Sequence, residues 1–538
     1  MRVAPRTLAA AGLIAATGIG CWLLWSPLGA NDLVGGDEGY YGTTARNICA
    51  DPRFLLSTPL SPLGPPGDKP PLYPGLLALS VRAFGPGEAA LRWPSLLAAA
   101  ALALAVAWLA GSACGAWGAV AGAALLISLP WFADASRAAA AEIPLTAFGA
   151  FALVSATSSV PSARRALGAG TLLGLAFLCK LWLVVLIGIP VASALWPPRG
   201  GRFAPLATLA AATAAVASLH LLAVVVLEPG LLPHWIRIYF ERSLAERVGG
   251  EGYAPYWIKP PVYYWAIMTH AFGLLLPLVL LGGEAAWRRF REPVPRALLL
   301  WAAGVLLLSA FTVKSAPYLY VVVPAWAALA ALGAHAIASG RRPAWPTVAF
   351  GLAASAPWLM VRLGASALPW PLWLGVWLLF LAGLALVRLR PGWAAAVAAT
   401  LAASAIVPGL VREAQRLPLR YHAPGYRAVA AALGPRLADV PADRACFVSA
   451  EAPALSFYLF RTGRYWGTPI TPWTARRRRQ VESDTSLRAF VVDPRQDLYG
   501  GWPDSTTLRW LETSTTEITQ QVGEAEGRAI ALRVFVRP

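Results

Sequence analysis

Charge is what this sequence has least of. Asp, Glu, Lys and Arg together make up 13% of the 538 residues, about half of the roughly 25% usual in soluble domains. With 57% hydrophobic residues and a mean hydropathy of +0.56, that scarcity excludes a soluble globular protein and leaves a polytopic membrane protein. Cysteine is also rare: Cys21, Cys49, Cys114, Cys179 and Cys446 show no paired or Cys-x-x-Cys spacing, so neither a zinc site nor a disulfide framework is implied. No Gly-rich phosphate loop opens a strand–turn–helix pattern, which argues against a cytosolic nucleotide-sugar enzyme. Internal repeats and low-complexity linkers are missing too. The net charge of +18 reads as topology, since Lys and Arg of membrane proteins collect in cytoplasmic loops, and no nucleic-acid partner is expected.

What the chain does have is apolar runs. They fall at about 8–29, 91–110, 116–132, 141–158, 166–179, 181–196, 204–226, 262–282, 297–312, 317–337, 345–362, 370–388 and 392–411, each near the length a bilayer requires. Arg2 and Arg6 precede a first run too long for a signal-peptide core and without a convincing cleavage site, so it is expected to stay as a span with its N-terminus cytoplasmic. The loops with Arg164 and Arg165, Arg199 and Arg202, Arg288 to Arg296, Arg341 and Arg342, and Arg388 and Arg390 then all fall on the cytoplasmic side. This match requires two short spans to meet at Lys180 rather than one bent span.

The expected architecture is therefore mostly α, with about 13 transmembrane helices in a domain over 1–411 and outer loops at about 30–90 and 227–261. "PPLYPGLLALSVRAFG" within the first loop reads as an interfacial helix. Composition changes at about 412. "ACFVSA", "LRAFVVD" and "AIALRVFV" read as strands and "GYRAVAAALGPRLADV" as a helix, which predicts a small extracytoplasmic α/β domain over 412–538.

Polar groups at the membrane edge are the functional candidates. Asp37 and Glu38 follow the first span, Lys69 precedes two prolines that fix its backbone, Glu142 with Arg137 opens a span, and Lys314 and Tyr318 mark another outer loop. Taken singly, each has an ordinary explanation: a solvated loop or helix cap for the acids, snorkelling for the lysines. "HWIRIYF" and "APYWIKPPVYYW" read as interfacial aromatic belts, and Arg476 to Arg479 as a solvated or headgroup-facing patch.

Taken in order, these stretches carry a resemblance. "DEGYY…AR" (Asp37 to Arg46), "DKPPLY" (Asp68 to Tyr73), "FGPGEAALRWPS" (Phe84 to Ser95), "AEIPLTAF" (Ala141 to Phe148) and "KSAPYLYVVVPAWAAL" (Lys314 to Leu329) resemble the polyprenyl-phosphate-dependent glycosyltransferases. That family includes protein O-mannosyltransferases and the bacterial aminoarabinose transferases that modify lipid A, of glycosyltransferase C fold. The resemblance implies inverting transfer of a sugar from a polyprenyl-phosphate donor, undecaprenyl phosphate in bacteria, on the outer face of the inner membrane. The acceptor would be a lipid A-type glycolipid, a protein or a surface polysaccharide.

The resemblance also implies roles for particular residues. Asp37 serves the acceptor as base or electrostatic partner, Glu38 supports it, and Glu142 occupies the second acidic position. Lys69, Arg247 and Tyr318 contact the donor phosphate, with Tyr40, Arg46, Arg137 and Lys314 in support. Partners are the lipid-linked donor, membrane lipids and the acceptor. A divalent ion has no support from ligand spacing, and no other cofactor is implied. Departures from the family are Glu142 where Asp is usual, Asp68 where bacterial relatives often have His, and Gly39-Tyr40-Tyr41 in place of the Arg-Tyr of the aminoarabinose enzymes. The alternatives are a lipid-linked transporter or flippase, which predicts two repeated halves, and a polysaccharide ligase.

Overall fold

Inside hydrocarbon every backbone N–H and C=O must find an intrachain partner, so long apolar runs become helices. The computed structural model describes residues 28–29, 32–33, 37–60, 66–157, 162–196, 203–250, 258–272, 275–339 and 425–439, with shorter stretches between 446 and 537. Almost all of the expected first span at 8–29, and the spans at 345–362, 370–388 and 392–411, lie outside the described residues. So do Arg2, Arg6, Arg199, Arg202, Arg341, Arg342, Arg388, Arg390 and Arg476 to Arg478.

Among the described residues, four helical stretches are long and apolar enough to cross a membrane: Glu88–Ile127, Ala163–Ala194, Ala204–Leu227 and Pro293–Ala310. Upstream of them, α1 (Asp37–Ala50) and α2 (Leu72–Phe84) form the first loop. Pro70 and Pro71 hold the start of α2 back to Leu72, as the sequence predicts.

Two of the four stretches reverse direction. In α3 (Glu88–Ile127) Gly115 takes φ 74°, a conformation open to glycine. The chain folds back there, and Gly122 packs against Ala110 and Val106. The expected segments 91–110 and 116–132 are the two arms, although the second ends at Ile127 and Pro130 opens a separate short helix, Pro130–Ser136.

The second reversal is at Lys180. Helix α4 (Glu142–Thr157) meets α5 (Ala163–Lys180) head to tail, with Glu142 on Lys180 at one end and Ser155 Oγ donating to the Arg165 carbonyl, 3.3 Å, at the other. Gly170 packs on Leu209 and Ala212, and Gly174 on Val216, so α5 runs parallel to α7 (Ala204–Ala217). A parallel pair needs a return between them, and α6 (Val185–Ala194) supplies it. The turn puts Leu181 at φ 52°, an unusual conformation for a residue with a branched side chain, which costs about 1–3 kcal/mol.

Helix α8 (Leu219–Leu227) continues α7 toward the second loop, which contains a π-helical stretch, Arg237–Ala245. Helices α9 (Leu276–Arg288) and α11 (Val323–Ala338) approach closest where Gly282 and Gly333 lie backbone to backbone, the contact small residues permit between membrane helices. Between them α10 (Pro293–Ala302) runs along α6, and Arg296 Nη2 donates to the Ser193 carbonyl, 2.5 Å. Arg289 likewise donates to Ala113 O, 2.9 Å. Arg165, Arg289 and Arg296 thus share the end of the bundle opposite Asp37 and Lys180.

Beyond residue 425, α12 (Tyr426–Arg436) and α13 (Ala452–Leu459) are helical. A parallel pair joins β1 (Cys446–Phe447) to β2 (Arg464–Tyr465). An antiparallel sheet of order β3-β5-β4 joins β3 (Ala489–Val492), β4 (Thr516–Glu517) and β5 (Arg533–Val536), closed over Phe490, Leu511 and Phe535.

Candidate active site

Asp37 and Glu38 open α1, where the helix dipole favours negative charge. Their side chains then diverge. Glu38 turns inward, 3% exposed, and takes Arg92 in a fork, Nε to Oε1 at 2.9 Å and Nη2 to Oε2 at 3.0 Å. The Ala139 N–H donates to the same carboxylate, 3.0 Å. Asp37 keeps 50% of its side-chain surface accessible and lies between two lysines, with Lys69 at 3.4 Å and Lys180 at 3.1 Å.

Each lysine is shared. Lys180 also binds Glu142, at 2.5 Å, whose side chain is 2% exposed. Lys69 also reaches Asp68, at 3.4 Å, and stands over the Tyr40 ring, 4.9 Å from its centre. Asp68 in turn lies 4.0 Å from Arg242. The loop holding Lys69 is fixed at four points. Thr58 Oγ1 donates to the Lys69 carbonyl, 2.9 Å, and Tyr40 OH accepts from Asp68 N, 3.1 Å. His234 Nε2 meets the Gly67 carbonyl at 2.7 Å, and prolines follow at 70 and 71.

The enclosing protein would by itself raise the Asp37 carboxyl, but Lys69 and Lys180 more than reverse that and hold it well below the usual carboxylate range. The same balance, with Lys69 and Arg242 as the cations, lowers Asp68. Both acids are therefore anions at neutral pH.

The remaining expected residues divide. Arg247 stacks on Tyr318, 5.3 Å from the ring centre, and its backbone carbonyl accepts from Val313 N, 3.0 Å. Its charge acts on Asp68, which joins this pair to the Lys69 side of the cluster. Tyr40 packs beneath Lys69. Arg46, in contrast, points to the Phe457 carbonyl, 3.4 Å, and Asn47. Arg137 bonds the Ala133 carbonyl, 3.1 Å, with Asp134 at 3.8 Å. Lys314 is 2% exposed and gives its ammonium to the carbonyls of Lys259 and Phe311.

Lys180 is the functional candidate that sequence reasoning missed. There it enters only as the junction of two short spans, although a lone cation at the end of an apolar run is itself a signal. Arg92 lies within a quoted motif without a role assigned to it.

Residues 68–227 match the family profile of dolichyl-phosphate-mannose-protein mannosyltransferase. The structure superposes on ArnT from Cupriavidus metallidurans in the apo state, with a TM-score of 0.66 and 17% identity over 98% of both chains. The fold is that of ArnT. A second structure of that protein, bound to undecaprenyl phosphate, matches with a TM-score of 0.64 and 16% identity over 97% of both chains. An Archaeoglobus fulgidus oligosaccharyltransferase tethered to an acceptor peptide with an NVT sequon matches at 0.53 and 14% identity, over 89% of this chain and 69% of that one. No match is found among curated proteins. The similarity to the mannosyltransferase family is thus placed over residues 68–227, and the apolar helices fit a multi-pass membrane protein.

Proposed function

We propose that this protein transfers a sugar from a polyprenyl-phosphate donor to an acceptor at the outer face of the inner membrane, with inversion at the anomeric carbon. The observation that carries this reading is Asp37, accessible and ionised between Lys69 and Lys180. The donor phosphate takes its place among Lys69, Arg242 and Arg247, where departure of the lipid phosphate develops negative charge that these cations stabilise. Tyr318, under Arg247, orients that guanidinium. Asp37 orients the acceptor oxygen on the opposite face of the sugar ring.

The ion pairs suggest an order of events. While Lys69 and Lys180 both hold Asp37, its carboxylate is a weak base. An incoming phosphate draws Lys69 toward itself, and Asp37 regains basicity when the donor is in place. Undecaprenyl phosphate is the favoured carrier because an ArnT structure is described with it bound. Acceptors of the class are a lipid A-type glycolipid, a protein or a surface polysaccharide.

The test is Asp37→Asn, assayed for sugar transfer from an undecaprenyl-phosphate donor. Transfer is expected to fall about 10²–10⁴-fold, with expression and membrane insertion intact. Full activity in this variant would overturn the assignment.

A further inference from the structure

The start of α1 is held from both sides by residues of the C-terminal segment. Glu88 opens α3 and Arg92 follows one turn later. Arg92 grips Glu38 and also donates to the carbonyls of Leu28, 2.7 Å, and Asp32, 2.8 Å, so Leu28, Asp32 and Glu38 converge on one guanidinium. On the far side of that turn, Arg427 of α12 donates to Glu88 through Nε, 3.0 Å, and through Nη2. Its backbone N–H donates to Asp32 Oδ2, 3.2 Å. Tyr458 of α13 donates to Glu88 Oε1, 2.7 Å, while its oxygen accepts from Leu33 N, 2.8 Å. Downstream of Asp37, Phe457 packs against Gly42 and its carbonyl accepts from Arg46.

These contacts bracket Asp37 in sequence, at residues 32 and 33 before it and at 42 and 46 after it. We infer that α12 and α13 are a clamp that positions Asp37 against Lys69 and Lys180, with Arg427 and Tyr458 as its positioning residues. The electrostatics explain the choice of Arg427. The side chains of Asp32 and Glu88 are 3% and 11% exposed, and Arg427 pairs with both. Without it, two enclosed carboxylates lose a shared counter-charge, which loosens the turn that Arg92 closes. A carboxylate that must meet two lysines and an acceptor tolerates little displacement.

The inference rests on the sugar-transfer reading, so its test needs one arm that does not use activity. The full chain in lipid nanodiscs is compared as wild type, Arg427→Ala, Arg427→Lys and Tyr458→Phe. Amide hydrogen exchange over Asp37–Ala50 is followed alongside kcat and KM for an undecaprenyl-phosphate sugar. Arg427→Ala is expected to speed exchange in this helix and to lower kcat about 10- to 100-fold with KM for the donor little changed. Arg427→Lys should restore most of both, and Tyr458→Phe should move both in the same direction by less. Unchanged exchange in Arg427→Ala, or a rise in KM alone, would overturn the clamp. If Arg427→Ala yields no folded protein, Tyr458→Phe decides by the same two readouts. A wild-type chain inactive toward every polyprenyl-phosphate sugar would sink the transfer reading, and the exchange data would still decide the clamp.

Discussion

Arg92 and Lys180 each neutralise one of two neighbouring carboxylates, in opposite ways. Around Arg92 the side chains are 3–4% exposed, one guanidinium meets one carboxylate in a planar fork, and two further N–H groups go to the carbonyls of Leu28 and Asp32. Around Lys180 one ammonium is divided between two acids, and one of those acids, Asp37, is half open and divided between two ammoniums. The first arrangement leaves nothing for a ligand to exchange. The second is a set of point charges that can change partners when a phosphate arrives, because ammonium groups impose no fixed geometry on their acceptors. On the proposed sugar-transfer reading, adjacent acidic residues serve one as a fastener and the other as the working group.

The largest effect on stability is expected on the sealed side. Arg92→Ala leaves Glu38 buried without its cation and also frees the carbonyls of Leu28 and Asp32. Breaking a buried pair in this way costs about 3–5 kcal/mol, which should appear as a large drop in Tm of the purified protein. An unchanged Tm would mean that this turn is not the fastener described here.

On the open side the expected effect is on rate and its pH dependence. Lys180→Met removes a cation from Asp37, and loss of a cation raises a carboxyl pKa. In the wild type the depressed Asp37 carboxyl stays ionised as pH falls below the ordinary value of about 4, so its ion pairs persist into acid and are lost only at lower pH. In Lys180→Met the acid limb of kcat should therefore move to higher pH, with kcat lowered about 10- to 100-fold. A pH–rate comparison of the two proteins checks the sign. An acid limb displaced downward would contradict the pairing.

How much of this arrangement was legible in the sequence depends on the range of each contact. Asp37 and Lys69 stand in short motifs next to apolar runs, and the prolines after Lys69 fix the start of α2 locally. Lys180 had only its place at the end of an apolar run, with no motif around it. Its partners lie 38 and 143 residues away, and the turn that aims it depends on a positive φ at Leu181 that leucine does not advertise. Arg427 is 339 residues from Glu88, beyond any periodicity argument. The reversal at Lys180 does bring Arg165 and Arg296 to one end of the bundle, as two short spans meeting there require.

The smallest effect on activity is expected at Lys314, which separates resemblance from geometry. Its position four residues before Tyr318 in the sequence suggests support for the donor-phosphate contact. In the fold its ammonium is turned to the carbonyls of Lys259, 2.9 Å, and Phe311, and burial lowers its pKa. A lysine committed to two carbonyls ties the second loop to the segment before Tyr318 and has little left for a donor. Lys314→Met should therefore cost about 1–3 kcal/mol of stability by leaving those carbonyls without a partner, while KM for the donor stays near the wild-type value. Lys69→Met, which removes the ammonium that stands beside Asp37, should instead raise that KM about tenfold or more. Measuring both variants against one undecaprenyl-phosphate sugar tests whether accessibility, rather than motif membership, marks the lysine that meets the phosphate. If Lys314→Met weakens the donor as much as Lys69→Met, the donor phosphate extends to the Tyr318 side and the carbonyl contacts are broken on binding.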